Sequence, residues 1–326
     1  MIKIKKIGVF TSGGDAPGMN AAIRAVVRTG INNDIEVIGI LQGYSGMIKG
    51  DFVKMETSSV SNIIQRGGTI LKTARSEKFF TIEGRQQAFQ NLKNVGIDAL
   101  VAIGGDGTFT GAEIFSKEFD FPIIGMPGTI DNDLYGSDYT IGFDTALNTV
   151  VEAADKIRDT AYSHNRLFII EVMGRDAGFI ALQSGIAVGA EDILIPESKT
   201  YIDSLLSKLR HDWRKNKTSG IIIVAEGDDS GGAFEVAKVI NEKCPDFKTR
   251  ITILGHVQRG GSPSCLDRVL ASTLGYHAVK ALLKGNHGVM VGRVNNKVVF
   301  TPFEKATKLH QEINKPLLEM ARVLSL

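Results

Sequence analysis

The sequence predicts an α/β protein built on doubly wound, mainly parallel sheets, and three observations carry that expectation. Short apolar runs of β character alternate with longer helical patterns from Ile7 onward, as in parallel βαβ units. The runs Ile7–Phe10, Ala99–Ile103, Phe121–Met126, Phe168–Val172, Ile221–Ala225 and Ile251–Leu254 each lead into a polar loop marked by glycine. At 326 residues the chain exceeds the size at which a single core keeps growing, so two lobes are expected.

The clearest helix is Gly142–His164. Phe143, Ala146, Leu147, Val150, Val151, Ala154, Ile157 and Ala161 recur at three- and four-residue steps and form one apolar face. Asp144 suits the positive end of its dipole. Helices are also expected at Gly18–Arg28, Gly84–Val95, Thr108–Phe119, Ser204–Lys215, Ala233–Lys243 and Asp267–Leu283. No linker or low-complexity tract separates the lobes, and the βα pattern runs on past residue 142.

Composition narrows the partners. A hydrophobic content of 43%, 23% charged residues and a net charge of +2 describe a soluble globular chain, too balanced for nucleic acid or anionic membrane as main partner. No apolar stretch approaches the roughly 18 residues of a membrane span. Lys3, Lys5 and Lys6 precede an apolar run that stops at Gly13-Gly14, too short for a signal sequence. Cys244 and Cys265 sit in no metal or redox spacing, so a cytoplasmic setting with bystander thiols is expected.

The loops hold the chemistry. In open α/β sheets ligands bind beyond the carboxyl ends of the strands. TSGGD (Thr11–Asp15) fits neither the dinucleotide fingerprint nor the Walker loop, and reads as a phosphate cradle or a tight βα turn. In GGDGT (Gly104–Thr108) two glycines expose backbone donors, Asp106 can hold magnesium, and Thr108 can cap the helix or touch phosphate. PGTIDND (Pro127–Asp133) offers Asp131 and Asp133 at i, i+2; in an extended loop both face one side, as a base and a metal-steering group, or as part of an Asx-rich turn. Arg166, Arg175, Arg250 and Arg259 lie beside β-like runs or loop glycines and read together as a phosphate-binding constellation, with His256 close to Arg259. No zinc spacing is present, and His164, His211, His277, His287 and His310 read as structural.

Taken together, TSGGDAPGMNAAIR, QRGGT, AIGGDGT, PGTIDND, YTIGFDTAL, EVMGR and LGHVQRGGSP resemble the bacterial ATP-dependent 6-phosphofructokinases, from Ile7 to at least Asp267. The resemblance implies two similar three-layer lobes with the active site in their cleft, and a homotetramer. It implies a larger ATP-binding lobe at 1–141 and 258–308, and a smaller sugar-phosphate lobe at 142–257 and 309–326. Asp131 would be the base for the sugar 1-hydroxyl, with Arg75, Arg175 and Thr129 also in the catalytic group. Gly14, Arg75, Ser76, Gly105, Asp106, Gly107 and Thr108 would bind ATP, with Asp106 on Mg2+. Thr129, Ile130, Asp131, Met173, Gly174, Arg175, Glu226, His256, Val257, Gln258 and Arg259 would hold fructose 6-phosphate, and Arg166 and Arg250 would reach it from a neighbouring subunit.

Donor choice rests on two glycines. Pyrophosphate users of the family typically carry Asp and Lys where this chain has Gly107 and Gly128, and a side chain at Gly107 would crowd the α-phosphate and ribose. Arg24, Arg28, Arg158, Gly189, Glu191, Lys215 and Lys217 match the family's nucleotide-effector site between subunits. Thr57 and Ser219 depart from it, standing where the enterobacterial pattern has Arg and His. An arginine is also missing near Phe80 on the ATP side, where Lys78 could substitute, and Trp213 reads as packing. The rival expectations are a pyrophosphate-dependent enzyme and a non-catalytic sugar-phosphate sensor.

Overall fold

The computed structural model describes residues 4–214 and 219–325. In chain order the first elements are β1 (Lys6–Thr11), α1 (Met19–Ile31), β2 (Glu36–Ile40), α2 (Gly43–Lys49), β3 (Phe52–Met55), α3 (Ile82–Val95), β4 (Ala99–Gly104), α4 (Asp106–Phe119), β5 (Ile123–Thr129), β6 (Ile141–Gly142) and α5 (Phe143–His164). Then come β7 (Leu167–Val172), α6 (Phe179–Ala187), β8 (Asp192–Leu194), α7 (Ile202–Arg214), β9 (Gly220–Ala225), α8 (Gly232–Lys243) and β10 (Thr249–Ile253). The last are α9 (Cys265–Leu283), β11 (Val289–Val294), β12 (Lys297–Pro302), α10 (Phe303–Lys308) and α11 (Lys315–Leu324). Two compact units result. One is Met1–Ile130, Leu134–Thr145 and Arg259–Gln311; the other is Asp131–Asp133, Ala146–Gln258 and Glu312–Leu326.

The first unit is organised by a sheet in the order β12-β11-β5-β4-β1-β2-β3, with β6 paired to the end of β5. From β11 to β2 the strands are parallel, and β3 and β12 close the edges antiparallel. β4 (ALVAIG) is buried along its whole length, as a central parallel strand covered on both faces must be. One face packs an aromatic cluster in which Tyr44 stacks on Phe79 at 3.9 Å and Phe115 lies between Phe79, Phe119 and Phe121. The other face is covered by α1 and α9, which approach closely because Gly275 sits where a Cβ would lie 2.7 Å from that of Ala25. The chain passes from β1 outward to β2 and then back across to β4. The carboxyl ends of β1 and β4 therefore flank the switch point where α/β sheets open a ligand crevice.

The second unit has a four-stranded, all-parallel sheet in the order β10-β7-β9-β8. Leu167, Ile169, Ile222 and Val224 from the strands pack with Leu205, Leu209, Val236 and Ile240 from α7 and α8.

Several boundaries differ from the sequence expectation. β5 does not stop at Met126 but runs to Thr129, because β6 supplies a parallel partner for Gly128 and Thr129. α4 begins at Asp106, two residues before the expected Thr108, so Thr108 is inside the helix and caps nothing. The expected end of α7 at Lys215 lies outside the described residues. Beyond these, α2, α6, α10, α11 and six strands (β2, β3, β6, β8, β11 and β12) were not anticipated.

A buried carboxylate joins two of these elements. Asp267, in the first turn of α9, accepts hydrogen bonds from Gly142 N–H (2.8 Å), Thr145 N–H (2.8 Å) and the Thr145 hydroxyl (2.5 Å) at the start of α5. Burial, opposed by these hydrogen bonds, pushes its pKa up to about 6. A carboxyl that holds its proton more tightly when folded adds stability below its unfolded pKa and loses it as pH rises through the folded value. Relative to Asp267→Asn, the wild type should gain on the order of 1 kcal/mol between pH 7 and pH 5. Denaturant unfolding of both proteins at the two pH values checks this, and a constant difference would refute it.

Candidate active site

In the first unit the loops after β1 and β4 are tied together. Ser12 N–H donates to the Ile103 carbonyl (3.0 Å), and the buried Thr108 hydroxyl donates to the Ser12 carbonyl (3.2 Å). Tyr44 holds the same turn by donating its hydroxyl to the Thr108 carbonyl (2.6 Å). Gly13 has φ +84°, and the end of the Arg259 side chain lies where a Cβ on Gly14 would stand. Arg259 also donates to the Asp15 carbonyl (3.3 Å). Asp106 and Gly107 are exposed, and a Cβ on Gly107 would meet no atom within 4 Å.

Arg75 and Ser76 follow a segment braced against this crevice. Asn20 donates to the Arg66 and Gly67 carbonyls (both 3.1 Å) and accepts from Ile70 N–H (2.8 Å). Thr11 and Thr73 donate their hydroxyls to the Lys72 and Gly13 carbonyls (2.8 and 2.7 Å). Thr129 lies beside Gly105, 3.6 Å from where its Cβ would stand, and its carbonyl accepts from the Thr140 hydroxyl (2.6 Å).

In the second unit the loops at the carboxyl ends of β7, β9 and β10 converge on backbone. The Glu226 carboxylate accepts from Gly174 N–H (3.3 Å) and Arg175 N–H (2.8 Å). Fully buried Gln258 accepts from Met173 N–H (3.0 Å). These bonds brace the turn in which Arg175 itself adopts φ +53°, and Gly227 leaves room for the Arg175 carbonyl. Arg175 Nε stands 3.8 Å from Asp131 Oδ2, and the Asp131 side chain is 5% exposed. His256 and Val257 are exposed beside Gln258.

Two sequence readings change. Asp131–Asp133 is not extended, because Asn132 takes φ +56°; Asp131 is buried while Asp133 is half-buried. Within the second unit Arg175 does not share an end of the sheet with Arg166 and Arg250. Arg175 lies just beyond the carboxyl end of β7, and Arg259 beside the loop after β1. Arg166 and Arg250 instead stand at the amino ends of β7 and β10. A six-residue strand, about 20 Å at roughly 3.3 Å per residue, separates Arg166 from the Arg175 loop.

The effector-matching residues are distributed as follows. Arg24 and Arg28 share a face of α1, and the Arg24 guanidinium is held below its usual range by burial and then by Arg28. Arg158 donates to the Val188 carbonyl, Gly189 has φ +57° and Glu191 is buried. Thr57 is exposed and Ser219 half-buried, while Lys215 and Lys217 lie outside the described residues, as does the Trp213 side chain.

The Phosphofructokinase family profile matches residues 6–282. The chain belongs to the phosphofructokinase family. It is 54% identical over 323 residues to the ATP-dependent 6-phosphofructokinase 2 of Bacteroides thetaiotaomicron, covering 99% of both chains. It is 56% identical over 323 residues to the ATP-dependent 6-phosphofructokinase 1 of Thermus thermophilus, covering 99% of this chain and 100% of the other. A solved phosphofructokinase from Saccharomyces cerevisiae superposes with a TM-score of 0.90 at 40% identity over 98% of this chain, which spans 48% of the yeast chain. In this phosphofructokinase Asn20, Thr73, Thr140 and Asp267 are among the bracing residues that sequence reasoning missed. Their partners lie 46, 60, 11 and 122 to 125 residues away in the chain, so only the fold reveals them.

Proposed function

We propose that the protein transfers the terminal phosphoryl group of ATP to the 1-hydroxyl of D-fructose 6-phosphate, giving fructose 1,6-bisphosphate and ADP, the committed step of glycolysis. The observation that carries this reading is the buried Asp131 carboxylate beside Arg175, on a turn braced by Glu226 and Gln258.

Asp131 accepts the proton that leaves the 1-hydroxyl as the new O–P bond forms, help on the scale of about 10²–10⁴. A loose phosphoryl-transfer transition state asks mainly for positioning and charge stabilisation. Arg75, the N–H groups of Gly14 and Gly105–Gly107, and Thr108 supply these on the donor side. Thr129, Arg175, Glu226, His256 and Arg259 supply them on the sugar side.

The donor set also suits magnesium carried in by nucleotide. Among the described residues no cluster of three or more His, Cys, Asp or Glu could cage a metal. Asp106 is instead a single exposed carboxylate at the glycine turn, the kind of ligand Mg2+ takes together with phosphates and water. Magnesium bound there supplies charge neutralisation for the terminal phosphates.

Arg166 and Arg250, at the far end of the small sheet, complete a neighbour's sugar-phosphate site in a homotetramer. Mixing inactive Asp131→Asn and Arg250→Ala proteins under subunit exchange should restore a fraction of wild-type activity. No recovery would remove the shared-site reading. The protein works in the cytoplasm; no described helix is long and apolar enough to cross a membrane.

The deciding assay follows bisphosphate formation from fructose 6-phosphate with Mg2+ and either ATP or pyrophosphate. Turnover with ATP alone is expected. Turnover with pyrophosphate alone would overturn the donor assignment, and silence with both would overturn the enzyme. The effector site is weakened at Thr57. Restoring a charge-assisted hydrogen bond, worth about 1.5–3 kcal/mol, through Thr57→Arg should lower the nucleotide concentration for half-maximal binding at that site by tenfold or more. Unchanged binding titrations with nucleoside di- and triphosphates would show that position 57 does not limit effector binding.

A further inference from the structure

Asp267 and its partners form a buried polar junction that none of the nucleotide or sugar contacts uses. Three segments meet there. Asp267 grips Gly142 and Thr145, as described above. Ser264 N–H donates to the Thr145 hydroxyl (2.9 Å), and the Ser264 hydroxyl accepts from Asp267 N–H (3.2 Å). Gly18, at the end of the TSGGDAPG loop, packs against Ile141 and Asp267, and Gly142 packs against Ala16 and Pro17. Both glycines have φ +106°, and a Cβ on either would come within 2.7 Å of a neighbour.

What the junction fixes is β6. This strand is only two residues long, too short to hold itself in place. Its register sets Gly128 opposite Ile141 and Thr129 opposite Gly142, and Thr140 adds its bond to the Thr129 carbonyl. Asp131 follows Thr129 by two residues in the chain. Productive geometry tolerates only about half an ångström of error, so slack in β6 reaches the base directly.

We propose that Asp267 is a positioning residue for phosphoryl transfer: by gripping Gly142 and Thr145 it locks β6 onto Gly128–Thr129 and so sets where Asp131 presents its carboxylate. This rests on the assignment of Asp131 as the base. Asp267 touches no reacting atom. Asn at this position keeps the shape but turns an NH2 group toward an N–H donor, which weakens the grip. Thr145→Val removes one of the three bonds to Asp267, and Thr145→Ser keeps it.

The experiment compares Asp267→Asn, Thr145→Val, Thr145→Ser and Asp131→Asn for kcat, both KM values and hydrogen exchange of the 127–133 segment. Asp267→Asn is expected to lower kcat by about 10- to 100-fold with KM for ATP within twofold, and to speed exchange of 127–133. Thr145→Val should move the same way and Thr145→Ser should recover wild-type kcat. A folded Asp267→Asn with kcat within twofold of wild type would overturn the proposal. So would a kcat loss with unchanged exchange at 127–133. Should Asp267→Asn not fold, equal kcat values for the Val and Ser variants would overturn it by themselves. Wild-type kcat in Asp131→Asn brings down the base assignment; loss there with Asp267→Asn intact brings down only the positioning role.

Discussion

Asp131→Asn is expected to lower kcat by about 10²–10⁴ while KM for fructose 6-phosphate moves no more than a few-fold. Asparagine is nearly isosteric and stays beside Arg175, so the sugar should still be held. What is lost is a place for the 1-hydroxyl proton to go. The split between kcat and KM is therefore the measurement that matters. A raised KM with kcat intact would make Asp131 a binding residue. Removing Arg175 as well should add little beyond the single variant if the two act on one step, since effects of residues acting as a unit do not add.

Gly107→Asp is expected to raise KM for ATP by about 10- to 100-fold without loss of thermal stability. No protein atom lies within 4 Å of a Cβ built on Gly107, which sits in the first turn of α4. An acidic residue in a first helical turn suits the dipole, and replacing glycine in a helix relieves backbone entropy. The fold therefore has no quarrel with the substitution, and the nucleotide phosphates do, through both charge and volume. A variant that melts like wild type and shows unchanged ATP kinetics would defeat the steric account of donor choice.

Much of this architecture was legible because its physics is local. The stripe of α5 and the uniform apolar runs of β4, β7 and β9 announce themselves over windows of six to twenty residues. α6 did not, because FIALQSGIA is apolar around most of its circumference and leaves no period to read. β6 is two residues long and exists only through its pairing with β5. The hairpin of β11 and β12 was readable in hindsight: Asn295 and Asn296 both take positive φ, at 50° and 62°, between strands paired at Val294 and Lys297. At the site the motifs name candidate residues, but the hydrogen bonds that brace them join segments far apart in the chain. Thr108 read as a helix cap or a phosphate contact, and its hydroxyl ties two loops together. Whether Arg166 and Arg175 share an end of their strand depends on which side of β7 each falls, a distinction blurred when both are described only as lying near it.

The glycines of the phosphate loops are unequal as starting points for change. At Gly107 a new side chain enters empty space in one step. At Gly128 a Cβ would press on Ile103 at 3.0 Å and Met19 at 3.1 Å, and at Gly14 it would push the end of Arg259 away from the Asp15 carbonyl. A lineage drifting toward another phosphoryl donor would thus find its routes ordered: position 107 is open at once, whereas position 128 asks Ile103 and Met19 to give way by a few tenths of an ångström. A change at 107 can therefore come first and alone, while one at 128 draws its neighbours into the same step.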